Sequence, residues 1–234
     1  ICNSHYQKKY IDKEILSPKH VKVIGNGFDL SKFKETKTSY KKTNSILIIG
    51  RVSYPKNGLR VIKALKEFYK KNGYVPELNW VGRNDKSKQS IIMQNQIHDF
   101  INKNNFLKSK INFLGEVNES FLESLFLSSD CLISASIYEG MPNVICEAML
   151  RKLPIIASKV SDNKKLLGNN ERGLLCDPYQ INSICNSIEM IYRLDNYEIE
   201  LLVNKGYTYA TNNFSIEKIT GQYLAMINNI VKSK

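Results

Sequence analysis

The 234-residue chain has no C-x-x-C pair, no H-E-x-x-H and no apolar run long enough for a membrane helix. Each absence closes a class. A helical span needs about 18 or more consecutive apolar residues, so none is expected. The three histidines, His5, His20 and His98, are isolated, and no cysteine stands at zinc-ligand spacing, so no metal site is expected. Five cysteines (Cys2, Cys131, Cys146, Cys176 and Cys185) are an odd number, and three lie in apolar runs. They read as reduced, buried thiols of a cytosolic protein. There is no secretory signal, internal repeat or low-complexity tract. The chain begins at Ile1 rather than Met, so the expectation is a piece of something longer. Acidic residues are scarce: 22 Asp and Glu against 34 Lys and Arg, a net charge of +12. Residues 1–42 carry half of that surplus, ten lysines against four acids. The excess suits an acidic partner (anionic lipid, nucleic acid or phosphorylated substrate) or a plain solvated surface. A nucleic-acid partner is not expected, because no aromatics interleave with a basic sheet face.

What is present is regular. At 42% hydrophobic and 24% charged, the chain can bury a core. From Ser45 onward, short apolar runs alternate with helical periods. The runs are "SILIIG" (45–50), "ELNWVG" (77–82), "INFLG" (111–115), "CLISAS" (131–136), "LPIIAS" (153–158) and "GLLCD" (173–177). Continuous short runs of this kind are parallel strands covered on both faces. Helical stretches lie near 58–71, 87–104, 119–129, 142–152 and 161–168. The alternation predicts an α/β fold: a Rossmann-like, doubly wound parallel sheet of about six strands with helices on both faces. The tail, 180–232, reads as helix throughout, with a start at Ser215. The head does not fit the repeat. "ICNS" resembles a strand end, "VKVIGNGFDLSKF" a strand, turn and short linker, and "KETKTSYKKTN" a connector. "GNGFDL" has two glycines of a dinucleotide fingerprint but no third and no following helix. It reads as a turn in which Asn26-Gly27 supplies positive φ.

In an open parallel sheet, ligands bind beyond the carboxyl ends of the strands, where the winding reverses. With strand order 3-2-1-4-5-6, the loop after strand one, "GRVSYPKNG" (50–58), should face the loop after strand four, "IYEGMPN" (137–143). Arg51 and Lys56 on the first loop suit a pyrophosphate clamp, or are two solvated charges. On the second loop Pro142 suits the first helical position. The helix start around Met141 to Val144, with Gly140 allowing close approach, is an anion site. Glu147 shares a helix face with Asn143 and Val144 and leans back one turn. Beside a pyrophosphate a carboxylate should bind something uncharged, such as ribose hydroxyls. Glu139, at the crevice mouth, could accept from sugar hydroxyls or stabilise charge developing on a sugar ring.

These residues have a family likeness. "GRVSYPKNG", "NWVGRND", "INFLGEVNESFLESLFLSSDCLISASIYEGMPNVICEAMLRKLPIIASKVSDNKKLL" and "GLLCDPYQ" resemble glycosyltransferase family 4, retaining nucleotide-sugar-dependent enzymes of the GT-B architecture. The match runs from about residue 20 to 190. The resemblance implies that Arg51 and Lys56 hold the donor diphosphate and that Glu147 holds the ribose. It implies that Glu139, the catalytic candidate, binds the donor sugar with Gly140, Met141, Pro142 and Asn143, while Val144 meets phosphate or ribose. Val81-Gly82 and Phe113, Leu114 and Gly115 would line the base pocket, largely through backbone. Asn57 between Lys56 and Gly58 departs from the usual Lys-Gly. The family's N-terminal domain is not in this sequence. Residues 1–42 therefore resemble its remnant and the interdomain connector, 43–195 the nucleotide-sugar-binding domain, and 196–234 helices that pack back on the absent domain.

The implied function is retaining, metal-independent transfer of a hexose from a nucleotide-diphosphate sugar, with UDP-sugar the expected donor. The acceptor would be a glycan or lipid-linked molecule in cell-surface polysaccharide synthesis. Alternatives are a GT-B nucleotide-sugar 2-epimerase and a non-catalytic nucleotide-sugar-binding module. No cofactor is expected, the nucleotide sugar being a substrate. The expected location is cytoplasmic, and the lysine-rich surface suggests peripheral contact with anionic membrane on the inner face of the plasma membrane.

Overall fold

Six short apolar runs become six parallel strands: β1 (Ser45–Ile49), β2 (Glu77–Val81), β3 (Ile111–Gly115), β4 (Cys131–Ser134), β5 (Ile155–Ser158) and β6 (Leu174–Cys176). The structure is a computed structural model and describes residues 1–14, 21–33 and 36–232. The strands form one sheet in the order β3-β2-β1-β4-β5-β6, the order that strand counting predicts. Every pairing is parallel.

Alternate strand residues feed two cores, because side chains along a strand point to opposite faces. Ile46 and Ile48 of β1 pack with α2 (Gly58–Asn72), α3 (Lys88–Asn102) and α7 (Ile181–Arg193) through Ile62, Leu65, Phe68, Ile97 and Ile188. Leu47 faces the other layer, made by α4 (Glu119–Ser128), α5 (Asn143–Leu150), α6 (Asn163–Leu167) and α8 (Asn196–Phe214). Each fully buried Leu, Ile or Phe contributes about 1.5–3 kcal/mol relative to exposure. All five cysteines are free and buried. Burial pushes the Cys146 and Cys176 thiols up to about 12, so both stay protonated at neutral pH.

The connector is tied to the amino edge of the sheet. Lys37 Nζ donates to the Leu127 and Ser129 carbonyls at 3.0 and 2.5 Å. The Asp130 carboxylate accepts from Thr43 N–H (2.8 Å), Ser45 N–H (3.1 Å) and the Tyr192 hydroxyl (2.9 Å). Those bonds join β1, β4 and α7 to the segment that enters them.

The head differs from its sequence reading. A helix, α1 (His5–Glu14), follows "ICNS", but Cys2 and Val23 make only an isolated parallel bridge, as do Phe28 and Ser215. Single bridges form because Gly25 and Gly27 interrupt the apolar alternation that a strand requires. Neither Asn26 nor Gly27 takes positive φ. The glycines answer to close packing instead: a Cβ on Gly27 would lie 3.1 Å from Ile216 Cα, and one on Gly25 would lie 3.0 Å from Met141 Sδ. Ser215 starts α9 (Ile216–Lys232) as predicted, its hydroxyl accepting from Lys218 N–H at 3.2 Å. Pro142 is the N-cap of α5 rather than its first helical residue, because its carbonyl is the acceptor for Ile145 N–H at 3.1 Å. His20 and residues 34–35 of the predicted connector lie outside the described residues.

Candidate functional site

The loops after β1 and β4 meet, as the strand order requires. Ile137 N–H donates to the Pro55 carbonyl at 2.9 Å. Asn57 sits in the left-handed region, φ 61°, a conformation asparagine tolerates better than most residues. Its side-chain amide donates to the Ala135 and Pro178 carbonyls at 2.9 and 2.7 Å. The residue that interrupts Lys-Gly is therefore a bracket joining the ends of β1, β4 and β6.

This bracket delivers Lys56 to Glu139. Lys56 Nζ lies 2.5 Å from Glu139 Oε1, and the two side chains are 25% and 14% exposed. The Ser136 hydroxyl donates to the same oxygen at 2.6 Å. Glu139 N–H donates to Ser161 Oγ at 3.1 Å. Arg51 goes elsewhere: its side chain is 62% exposed and pairs with Asp85 at 2.7 Å. The Ser87 hydroxyl, then the Ser87 N–H and the Ser90 hydroxyl, hold the Asp85 carboxyl down at about 2, with Arg51 the smallest influence. So the expected pair does not act on a shared partner here, and each cation holds its own carboxylate.

The carboxyl edge of β1, β2 and β3 ends in glycines. Gly50 and Gly82 have φ of 140° and 139°, and Gly115 has φ 67°. Gly82 N–H donates to the Gly115 carbonyl at 2.7 Å. A Cβ on Gly82 would stand 2.2 Å from Gly50 O, so no side chain fits. The result is a bare backbone ledge beside the crevice. Phe113 turns its ring to Trp80 and His98, at 5.8 and 6.0 Å between ring centres. Leu114 packs into the opposite core. Among the candidates at this edge, Gly82 and Gly115 present backbone alone.

At the start of α5, Pro142 is buried, Met141 and Val144 are half-buried and Asn143 is exposed. The head closes over this turn. Asn26 N–H approaches Met141 Sδ at 3.0 Å, and its side-chain amide donates to Asn143 Oδ1 at 2.6 Å. A Cβ on Gly140 would meet Gln7 Nε2 at 3.5 Å. Glu147, one turn on, is half-buried, and burial raises its pKa against the opposing pull of Arg151. Arg151 is committed elsewhere. Its Nε donates to both oxygens of Glu123 at 3.0 and 2.8 Å, and its guanidinium lies between the Phe33 and Phe126 rings. Among the described residues no hydrogen bond reaches the Glu147 carboxylate.

The sequence reading missed Ser136, Asp85 and Asn26. Ser136 sits three residues before Glu139, and Asp85 lies within the quoted "NWVGRND", so both were in view without a visible partner. The assembled groups suit an anion beside the ammonium and the helix start, with carboxylates on either side able to accept from hydroxyls.

A model for the family "Glycosyl transferases group 1" matches residues 29–202. The Escherichia coli UDP-Gal:alpha-D-GlcNAc-diphosphoundecaprenol alpha-1,3-galactosyltransferase is 27% identical over 98% of this chain and 60% of its own length. A Campylobacter jejuni alpha-1,4-N-acetyl-D-galactosaminyltransferase acting on an undecaprenol-linked glycan is 25% identical, over 91% of this chain and 55% of its own length. The chain thus spans little more than half of these relatives. Anabaena HepE, solved in complex with UDP and glucose, superposes with a TM-score of 0.84 at 21% identity, over 97% of this chain and 62% of that one. With the family model covering most of the sequence, the chain belongs to the group 1 glycosyl transferases.

Proposed function

We propose that this chain is the donor-binding half of a glycosyltransferase that takes a nucleotide-diphosphate sugar, with UDP as the nucleotide. The observation that carries this reading is the meeting of Lys56, Glu139 and the start of α5 at the winding reversal of the sheet. Lys56, Arg51 and the α5 N-terminus neutralise the leaving diphosphate, so transfer needs no metal and no cofactor. Glu147 accepts from the ribose hydroxyls, and the ledge at Gly82 lets the base lie flat against backbone. Glu139, with Gly140, Met141, Pro142 and Asn143, surrounds the hexose, which is transferred with retention of anomeric configuration, and Val144 meets the phosphate or ribose. Relatives that act on undecaprenol-linked substrates support a lipid-linked acceptor in polysaccharide synthesis. The remaining part of such an enzyme supplies the acceptor side, so this chain alone binds donor and transfers little.

Calorimetric titration with UDP-, GDP- and ADP-sugars tests the reading. UDP-sugars should bind best, and Arg51→Ala should weaken them by on the order of 1.5–3 kcal/mol, the usual range for a hydrogen bond to a charged group. Equal affinity in wild type and Arg51→Ala would remove Arg51 from the site. Turnover by the 234-residue chain at rates near 1–10³ per second would overturn the half-enzyme reading.

A further inference from the structure

Glu139 does two things at once in this structure. Its Oε1 is shared by the Lys56 ammonium (2.5 Å) and the Ser136 hydroxyl (2.6 Å). The two partners differ in mobility. Lys56 ends a flexible stem and stays partly exposed. Ser136 is fixed: it is 1% exposed, and its carbonyl accepts from the Ser158 hydroxyl at 2.6 Å. Ser158 is itself fully buried, and its carbonyl accepts from the Asn163 side-chain amide at 2.9 Å. A row of buried polar residues from α6 through β5 to the end of β4 thus supports one carboxylate.

We infer that donor binding is an exchange of partners at Glu139: the diphosphate takes Lys56 away, and Ser136 alone then holds the carboxylate toward the sugar. This rests on the donor-site reading above. In the unliganded state the ammonium is neutralised by Glu139, so a bare nucleoside diphosphate must compete with an internal carboxylate. A nucleotide sugar meets the same competition but also uses the carboxylate that is released. The pair therefore discriminates against UDP, which is the product of transfer, and in favour of the intact donor. Ser136 is a positioning residue: it touches no ligand, and it keeps Glu139 where the sugar hydroxyls can reach it once Lys56 has left.

The test is titration of the 234-residue chain with UDP and with UDP-glucose, UDP-galactose and their N-acetyl forms. Glu139→Gln keeps the side-chain shape and removes the charge. It should tighten UDP about three- to tenfold, the scale of a partly exposed ion pair. The double variant Lys56→Ala/Glu139→Gln should bind UDP like Lys56→Ala alone, because the carboxylate acts on UDP only through the ammonium. Ser136→Ala should lower the preference for the best-bound UDP-hexose over UDP while the melting temperature stays near that of wild type. A loss of packing alone would weaken both ligands together. UDP affinity that is unchanged or weakened by Glu139→Gln, while Lys56→Ala still weakens it, overturns the exchange and leaves the donor site standing. Lys56→Ala without effect on UDP removes the donor site, and the exchange with it. A wild type with no preference among UDP and the UDP-hexoses, or a preference untouched by Ser136→Ala, overturns the role of Ser136.

Discussion

Glu147 carries a desolvation cost in the unliganded protein, partly offset by Arg151. Burial disfavours its charged form, and no hydrogen bond reaches it among the described residues, so its pKa is raised above the usual 4.5. The sign of the linkage follows. Below 4.5 the carboxyl is protonated in both folded and unfolded states and there is no penalty. As pH rises through the raised folded value, the unfolded state ionises more readily and the stability of the unliganded protein falls. Glu147→Gln should therefore melt higher than wild type at pH 7, with the difference shrinking as pH is lowered toward 4.5. The same variant should bind UDP about tenfold more weakly, the loss expected for a charge-assisted hydrogen bond. Thermal melts across pH, paired with UDP titration, check both halves; a higher melting temperature with unchanged UDP affinity would remove Glu147 from ribose binding. Helical periodicity alone put Glu147 on α5, one turn beyond Asn143. The sequence could not reveal the Arg51–Asp85 pair, because those residues are 34 positions apart and meet only through a loop-to-loop approach.

At the scale of elements, the strand order was legible because each run is nearly continuous in apolar residues and each linker is helical. The facing of the β1 and β4 loops followed from that order without any side-chain information. Glycines were the illegible part. The same residue serves a positive φ or a close approach, and one sequence does not separate the two. At Asn26-Gly27 the turn expectation gave way to packing against α9, whereas Gly82 answers to both demands at once. With φ 139° and a Cβ that would sit 2.2 Å from Gly50 O, Gly82 cannot be substituted without moving β1 or β2. Gly82→Ala should destabilise the fold by roughly 2–5 kcal/mol, the range for strained backbone combined with a steric clash. It should also weaken UDP binding by lifting the ledge. Urea unfolding reads the first effect directly. A midpoint within experimental error of wild type would mean that the edge relaxes and that close approach is not what keeps glycine there.

The whole molecule leaves one helix half-dressed. Ile219 is buried along α9, while Tyr223, Leu224, Ile227 and Val231 are exposed. Leu224, Ile227 and Val231 recur at i, i+3 and i+7, so they form one stripe on one face. Apolar stripes of this size on a monomer mark a surface that another body covers. The chain spans 60% and 55% of the length of two curated relatives, and we propose that the remaining length of such an enzyme supplies the cover. Among the described residues no helix is long and apolar enough to cross a membrane, so the stripe does not belong to a span. Without its cover the stripe should bind a hydrophobic dye and drive concentration-dependent association of the 234-residue chain. Leu224→Glu with Ile227→Glu should abolish both. UDP affinity should not change, because neither Leu224 nor Ile227 is among the residues placed in the donor site. Sedimentation velocity and dye fluorescence on the two proteins decide the matter. Dye binding that survives the double substitution would put the exposed apolar surface elsewhere, with the Tyr6 and Tyr10 face of α1 the next to test.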